Sequence, residues 1–122
     1  MVVRISEAEQ AVLEVLWDDA PLTAATVAAR TQDERGWSVQ TVKTLLSRLV
    51  AKQAVDYELD GRRFLYKPMV ERSVLAAIES RRLLDRLFDG RAAPMVAHLA
   101  EQGELTDTDI AEIEALLKAL KS

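Results

Sequence analysis

Fifteen consecutive residues in the middle of the chain, 38–52, constrain the fold most strongly because they include neither Asp nor Glu. Their apolar side chains recur at helical spacing, which predicts one buried stripe. The stripe comprises Val39, Val42, Leu45, Leu46, Leu49 and Val50. The Ser38 hydroxyl is placed to accept free amide protons at the helix start. The sequence therefore predicts an amphipathic helix.

The outward face of this helix is polar and basic. It carries Gln40, Thr41, Lys43, Thr44, Ser47, Arg48 and Lys52. Solvated helix faces usually mix both signs of charge, because Glu and Lys four residues apart support a helix. A face without carboxylates favours contact with a negatively charged groove, although a surface helix that is merely basic has the same composition.

The distribution of charge agrees with this interpretation. The chain has a net charge of −4, but residues 1–38 contribute −4, residues 39–68 contribute +3 and residues 69–122 contribute −3. Exposed charges farther apart than about 8–10 Å are largely screened from one another at physiological salt. The middle third is therefore predicted to attract phosphate despite the acidic total.

Composition excludes several kinds of site. The chain has no Cys, so disulfides, thiolate metal sites and Cys nucleophiles are absent, and its single histidine, His98, argues against a His-based centre. No phosphate loop, nucleophile motif or acid–base pair is apparent, which predicts a non-enzyme without metal or cofactor. No apolar run approaches the roughly 20 residues of a membrane span, and no signal-peptide pattern is present. These features predict a soluble cytoplasmic protein without direct membrane binding.

Two shorter helices precede the basic one. Ser6 and Glu9 are spaced as a capping box for a helix that reaches about Trp17, a residue expected to cover the core edge. Thr23 caps a second helix over residues 24–31, and a polar connector leads into the basic helix. Helices in this order predict a helix-turn-helix. The long connector favours its winged variety.

A β-hairpin follows. Residues 55–59 and 63–67 alternate apolar with polar side chains, and Asp60-Gly61 between them is a strong turn signal. Val55, Tyr57 and Leu59 are predicted to share a face with Phe64 and Tyr66 opposite. Arg62 and Arg63 stand at the tip. They are either an ordinary solvated turn or, beside a basic helix, contacts for a phosphate backbone or minor groove.

The last 54 residues form a second region, predicted to contain three helices: residues 70–88, residues 93–101 and a last helix that starts at a capping box of Thr106 and Asp109. Its apolar stripes comprise Val74, Leu75, Ile78, Leu84, Leu87, Phe88, Ile113, Leu116, Leu117 and Leu120. So small a unit buries too little surface alone, so a second copy is expected to cover it, unless it folds back on the first 68 residues. The predicted fold class is mainly α with a small β-hairpin: a winged helix-turn-helix DNA-binding domain over 1–68 and a C-terminal helical dimerisation region over 69–122.

Several motifs together resemble the penicillinase-repressor family, which includes BlaI, MecI and the copper-responsive CopY branch. They are Ile5-Ser-Glu-Ala-Glu9 leading to Leu16-Trp17-Asp18, Thr41-Val-Lys-Thr-Leu-Leu-Ser-Arg-Leu49, Gly61-Arg-Arg-Phe-Leu-Tyr-Lys-Pro68 and Leu87-Phe-Asp-Gly90. The resemblance implies a bacterial homodimer that represses transcription from a palindromic operator. It implies DNA contacts from Gln40, Thr41, Lys43, Thr44 and Arg48, with Arg62 and Arg63 on the wing. Our own reading of the polar face adds Ser47.

Two departures from the family pattern bear on regulation. The copper branch carries paired C-terminal cysteines, which this chain lacks, so copper sensing by that motif is excluded. In the β-lactam branch a membrane sensor peptidase cuts the C-terminal region between Asn and Phe, and the corresponding residues here are His98 and Leu99. The resemblance implies derepression by cleavage between these two residues, although His stands where the family has Asn. For the His98 side chain itself, a partly buried position on a helix is favoured over a metal-binding or proton-switch role.

Other classes of function remain open at this stage. Winged helices also act as protein-interaction modules, and the acidic outer thirds would suit an adaptor without a DNA target. A regulator with a small-molecule pocket is a third alternative, although no polar cluster in an apolar setting indicates one.

Overall fold

The computed structural model describes residues 4–122, which form six helices and one antiparallel two-stranded sheet. The helices are α1 (Glu7–Asp18), α2 (Ala24–Arg35), α3 (Val39–Ala51), α4 (Arg72–Leu87), α5 (Ala92–Glu101) and α6 (Asp107–Lys121), and the strands are β1 (Val55–Asp60) and β2 (Arg63–Pro68). The predicted class, mainly α with a small hairpin, is confirmed. Within residues 4–122 no helix is long and apolar enough to cross a membrane.

Polar side chains start the helices where the sequence predicted. Ser6 and Glu9 form the complete capping box at α1, and Thr106 and Asp109 form another at α6. Thr23 accepts from the Thr26 amide at α2, and Ser38 accepts from the Thr41 amide at 3.1 Å at α3. These bonds satisfy amides that have no partner within the helix.

Helix α2 is four residues longer than predicted, because the polar residues 32–35 continue it. It ends at Gly36, whose φ of 62° is in the left-handed region and whose amide donates to the Gln32 carbonyl at 2.8 Å. The connector to α3 is therefore short, and the predicted long connector was wrong. Glycine at this place stops the helix because it adopts positive φ without a steric penalty.

The core of the N-terminal part lies among α1, α2 and α3. Val12, Leu13, Leu16, Val27, Val42, Leu46 and Leu49 are at most 1% exposed. The predicted stripe of α3 is buried through Val42, Leu45, Leu46 and Leu49, while Val50 is half-buried. Val39 was wrongly assigned to this stripe. It is 41% exposed because it precedes the first buried turn.

The hairpin is attached to the helices by backbone hydrogen bonds. In its register Tyr57 pairs with Tyr66 and Leu59 with Phe64, so these side chains share a face as the alternation predicted. The amides and carbonyls of Leu22 and Tyr66 exchange bonds of 2.7 and 3.0 Å, which join β2 to the loop between α1 and α2. Asp60 pairs with Arg63, so the turn itself is Gly61 and Arg62 rather than Asp60 and Gly61.

The chain divides into two compact units between Leu75 and Ala76, rather than after Pro68 as predicted. Val70 and Leu75 are buried in the core of the first unit, at 8% and 4% exposure. The indole Nε1 of Trp17 donates to the Val70 carbonyl at 2.8 Å. These contacts hold the start of α4 on the first unit, and Trp17 covers the core edge as expected.

The second unit, Ala76–Ser122, lacks a buried core of its own. None of its residues, all of which the structure describes, is buried. Its exposed large apolar residues are Leu83, Leu87, Ile110, Leu116, Leu117 and Leu120. A helical unit normally buries its apolar stripe, so these side chains are left without the cover that the sequence pattern requires.

Candidate nucleic-acid interface

Helix α3 presents the predicted polar face outward. Gln40, Thr41, Lys43, Thr44, Ser47 and Arg48 are all exposed. At about 100° per residue, Gln40, Thr44 and Ser47 lie opposite the buried stripe. Lys43 lies on one flank of that face and Arg48 on the other. The face is therefore a polar strip with a cation on each side and no carboxylate.

Local hydrogen bonds fix two of the hydroxyl groups on this face. Thr44 Oγ1 donates to the Gln40 carbonyl at 3.1 Å, so its oxygen remains an acceptor and its methyl group points away. Ser38 Oγ and Thr41 Oγ1 lie 3.1 Å apart beside the cap. Thr41 is thus engaged in forming the helix start. Gln40, Lys43 and Arg48 have the long side chains that can reach into a groove.

The wing brings two arginines close to α3. A groove of about 430 Å³ between α2, α3 and the hairpin is lined by Thr23, Ala24, Ala25, Val39, Lys43, Arg62, Arg63, Phe64 and Tyr66. Its apolar floor therefore has three cations around it, one from the helix and two from the wing tip. Residues 20 positions apart in the sequence meet at one mouth because the hairpin folds back beside α3.

The cations of α3 and the wing tip differ in their pairing. Arg63 is held 2.6 Å from Asp60, with 65% of its side chain exposed. Lys43, Arg48 and Arg62 form no ion pair within residues 4–122. Their charge is therefore not neutralised by a carboxylate of the described residues. These three side chains can attract an external anion.

Lys52 does not belong to this face, which corrects the prediction. Its Nζ lies 2.5 Å from Glu9 Oε1 and 2.8 Å from the Arg4 carbonyl, and only 25% of the side chain is exposed. It lies on the flank of α3 that meets the start of α1. Burial alone would raise the pKa of Glu9, but hydrogen bonds from Lys52 and Ser6 outweigh burial and lower it. Glu9 is therefore held as a carboxylate within an internal contact.

Two aromatic residues of the wing remain exposed next to α3. The rings of Tyr57 and Phe64 meet edge to face at 4.8 Å, and 42% and 44% of these residues are accessible. Tyr66 is buried beneath them, and burial raises the pKa of its phenol, which stays neutral. Sequence alternation predicted that these three aromatic residues share a face but not that two of the rings would be left uncovered.

The residues predicted to form a dimer surface differ in exposure. Val74, Leu87, Leu116, Leu117 and Leu120 are exposed, and Ile78, Leu84, Phe88 and Ile113 are half-buried. Leu75 is an exception, because its side chain packs in the core of the first unit. It is therefore not available for a dimer contact.

The predicted cleavage position lies inside α5. His98 is exposed rather than partly buried, and Leu99 is half-buried. The His98 ring centroid is 6.3 Å from that of Phe88. The bond between His98 and Leu99 is therefore helical, and a peptidase would have to unwind α5 locally to cut it.

Known proteins resemble this chain over both units. The sequence model of the family described as "Penicillinase repressor" matches residues 5–119. The chain is 29% identical to the penicillinase repressor of Bacillus licheniformis over 98% of this chain and 93% of that protein. It is 28% identical to the methicillin resistance regulatory protein MecI of Mammaliicoccus sciuri over 93% and 92% of the two proteins.

A solved structure supplies the fold comparison. The solution structure of monomeric Bacillus licheniformis BlaI in complex with the blaP half-operator matches 60% of this chain and 89% of that chain. The sequence identity is 32% and the TM-score is 0.52. The winged-helix arrangement predicted from the sequence is thereby confirmed.

Proposed function

The chain belongs to the penicillinase repressor family, a family of transcriptional repressors, and we propose that it represses as a homodimer bound to a palindromic DNA operator. One observation carries the proposal. Lys43 and Arg48 flank a carboxylate-free polar strip on α3, Arg62 of the wing lines the same groove as Lys43, and none of these three has an ion-pair partner within residues 4–122. Such an arrangement suits DNA, whose phosphates attract cations and whose base edges hydrogen-bond to polar side chains.

Each protomer lays the outer face of α3 in a major groove. Gln40, Lys43 and Thr44 meet base edges there, because Gln and Lys donate to base acceptors and Thr can pair with either kind of group. Thr41, Ser47 and Arg48 contact the flanking backbone. Arg62 and Arg63 place the wing against a neighbouring phosphate or minor groove.

The C-terminal unit supplies the surface that binds a second copy of the chain. Leu116, Leu117 and Leu120 are 64%, 53% and 82% exposed on the last helix. Burial of apolar surface contributes about 25 cal/mol per Å² to the free energy of association. Covering these leucines with the same face of another protomer would therefore stabilise a dimer. Two-fold symmetry of the protein then requires a palindrome whose half-sites are a helical turn or more apart.

A gel-shift assay with DNA from upstream of the chain's own gene, at two salt concentrations, tests this function. With about six to eight phosphates neutralised per dimer, the logarithm of affinity should fall against the logarithm of salt with a slope of about −5 to −7. The outcome that contradicts the proposal is a chain that shifts no duplex in a salt-sensitive way. That result would favour a winged-helix adaptor that binds another protein.

The proposal extends to relief of repression by proteolysis. A membrane sensor peptidase would cut between His98 and Leu99, which separates α6 and its exposed leucines from the DNA-binding unit. Cleavage would require local unwinding of α5, and the exposed position of the His98 side chain on that helix supports access once it has unwound. Mass spectrometry of the chain from cells treated with a β-lactam should detect a fragment that ends at His98. Derepression while the chain stays intact would contradict this part.

A further inference from the structure

Val39 is an apolar residue at the edge of a polar surface. It is the first residue of α3, follows the Ser38 cap and is 41% exposed, whereas Val42 one turn later is fully buried. Exposed single valines need no explanation by themselves. The position of this one, beside the cations that the proposed function assigns to DNA, gives it a defined chemical neighbourhood.

Val39 is held in one place. The Ser38 hydroxyl accepts from the Thr41 amide and fixes the first turn of α3. A β-branched side chain in a helix keeps mainly one rotamer, so its two methyl groups point in a fixed direction. They line the same groove as Lys43, Arg62 and Phe64. Val39 is therefore a rigid apolar contact point beside flexible cations.

The major groove offers one apolar group, the C5-methyl of thymine, and the first residues of a recognition helix come closest to the base edges. We infer that Val39 contacts a thymine methyl in each half-site and so selects thymine there. This inference rests on the proposed DNA-binding function. Val39 would recognise an apolar group of the DNA, whereas the other residues of α3 assigned to base edges recognise hydrogen-bonding groups.

A coupled substitution in protein and DNA tests the contact. A duplex bound by the full-length chain is first selected from a random DNA pool. Each thymine in it is then replaced by deoxyuridine, which removes only the C5-methyl group. Affinities are measured for the parent, for Val39→Ala and for Val50→Ala. The last is a matched control, because it makes the same change on the same helix outside this groove.

The parent and Val50→Ala should each be sensitive to one particular thymine in each half-site. Replacing that thymine by deoxyuridine should lower their affinity for the duplex about fourfold, because one buried methyl group is removed. Val39→Ala should make that same replacement neutral and leave the effect of other replacements unchanged. Ala is a better helix former than Val and the site is not in the core, so the variant should fold.

Three outcomes are distinguishable. Loss of affinity on uracil replacement that is equal in the parent and Val39→Ala contradicts the inference and leaves the proposed function intact. Equal affinity of the parent for uracil-containing and thymine-containing DNA also contradicts the inference and leaves the proposed function intact. A chain that selects no duplex contradicts the proposed function and, with it, the thymine contact.

Discussion

Lys52 Nζ lies 2.5 Å from Glu9 Oε1, and this ion pair joins the end of α3 to the capping box of α1. The Glu9 side chain is 2% exposed and that of Lys52 is 25% exposed. Glu9 Oε1 also accepts from the Ser6 amide at 2.8 Å. One carboxylate therefore completes a helix cap and orients the helix that carries the candidate interface.

Glu9→Gln should lower the free energy of unfolding by about 1–3 kcal/mol, because it leaves a buried polar network partly unsatisfied. The pKa of Glu9 is below its ordinary value of 4.5 in the folded chain. Its contribution is therefore complete above pH 4.5 and is lost as pH falls through the lower folded pKa. Urea unfolding at several pH values should show the parent and Glu9→Gln converging in acid.

Glu7→Gln is the matched control for that experiment. Glu7 also pairs with a cation, Arg35, but 76% of its side chain is exposed. Solvent screens such a pair, so this variant should change stability much less than Glu9→Gln. Equal effects of the two substitutions would contradict the role assigned to burial of Glu9.

Arg62→Ala should weaken binding to all duplexes by a similar factor. Arg62 stands at the wing tip without an ion pair in the described residues, so its loss removes one phosphate contact per protomer. The salt slope should become less steep by about one for each protomer. Binding isotherms at four salt concentrations measure this slope. An unchanged salt slope would contradict a phosphate contact by Arg62 of the wing.

Lys43→Ala and Thr44→Ala should act on base preference instead. Both residues lie on the exposed face of α3, and loss of a base contact typically costs about 1–3 kcal/mol at the affected position. Competition among duplexes that differ at single base pairs should show relaxed preference at one or two positions. Variants that keep the parent's preference at every position would contradict base contact by these side chains.

Leu116→Ala combined with Leu117→Ala should shift the chain from dimer to monomer. The two side chains are more than half exposed on α6, and truncation removes apolar area from the proposed interface. Sedimentation measures the change. Leu59→Ala is the control, because Leu59 is 66% exposed but lies on the wing. A parent that sediments as a monomer would refute the dimer.

Gly61→Val should impair the wing while Gly61→Asn is tolerated. Gly61 has a φ of 66°, and no atom lies within 4 Å of an added Cβ, so any cost comes from backbone strain. A bulky L residue at positive φ costs about 1–2 kcal/mol, whereas Asn adopts this region more readily. In thermal unfolding the parent should have the highest melting temperature, Gly61→Asn the next and Gly61→Val the lowest. DNA affinity should fall most for Gly61→Val.

Local signals predicted much of the fold. The capping boxes at Ser6 and Thr106, the stripe of α3 from Val42 to Leu49 and the alternation of the two hairpin strands all depend on residues close in sequence. Each of these features is set by hydrogen bonds or by the periodicity of side chains within one element, so the local sequence is enough to predict it. The outward position of Gln40, Lys43, Thr44 and Arg48 follows from the same periodicity.

Tertiary packing decided what the sequence did not. Lys52 was assigned outward because it is a cation after a basic run, but α1 places the Glu9 carboxylate beside it. Leu75 follows the apolar period of α4, yet it is buried with Val70 in the first unit. Val39 fits the helical period, but as the first residue of α3 it is 41% exposed. None of these outcomes is visible without the neighbouring elements.

Contact between DNA and the outer face of α3 together with the wing tip can be observed residue by residue. A nuclear magnetic resonance titration of the 122-residue chain with a selected duplex makes this measurement. The largest chemical-shift changes should occur at Gln40, Lys43, Thr44 and Arg62 and should weaken as salt rises. Shifts confined to α5 and α6, or no shifts at any salt concentration, would contradict it.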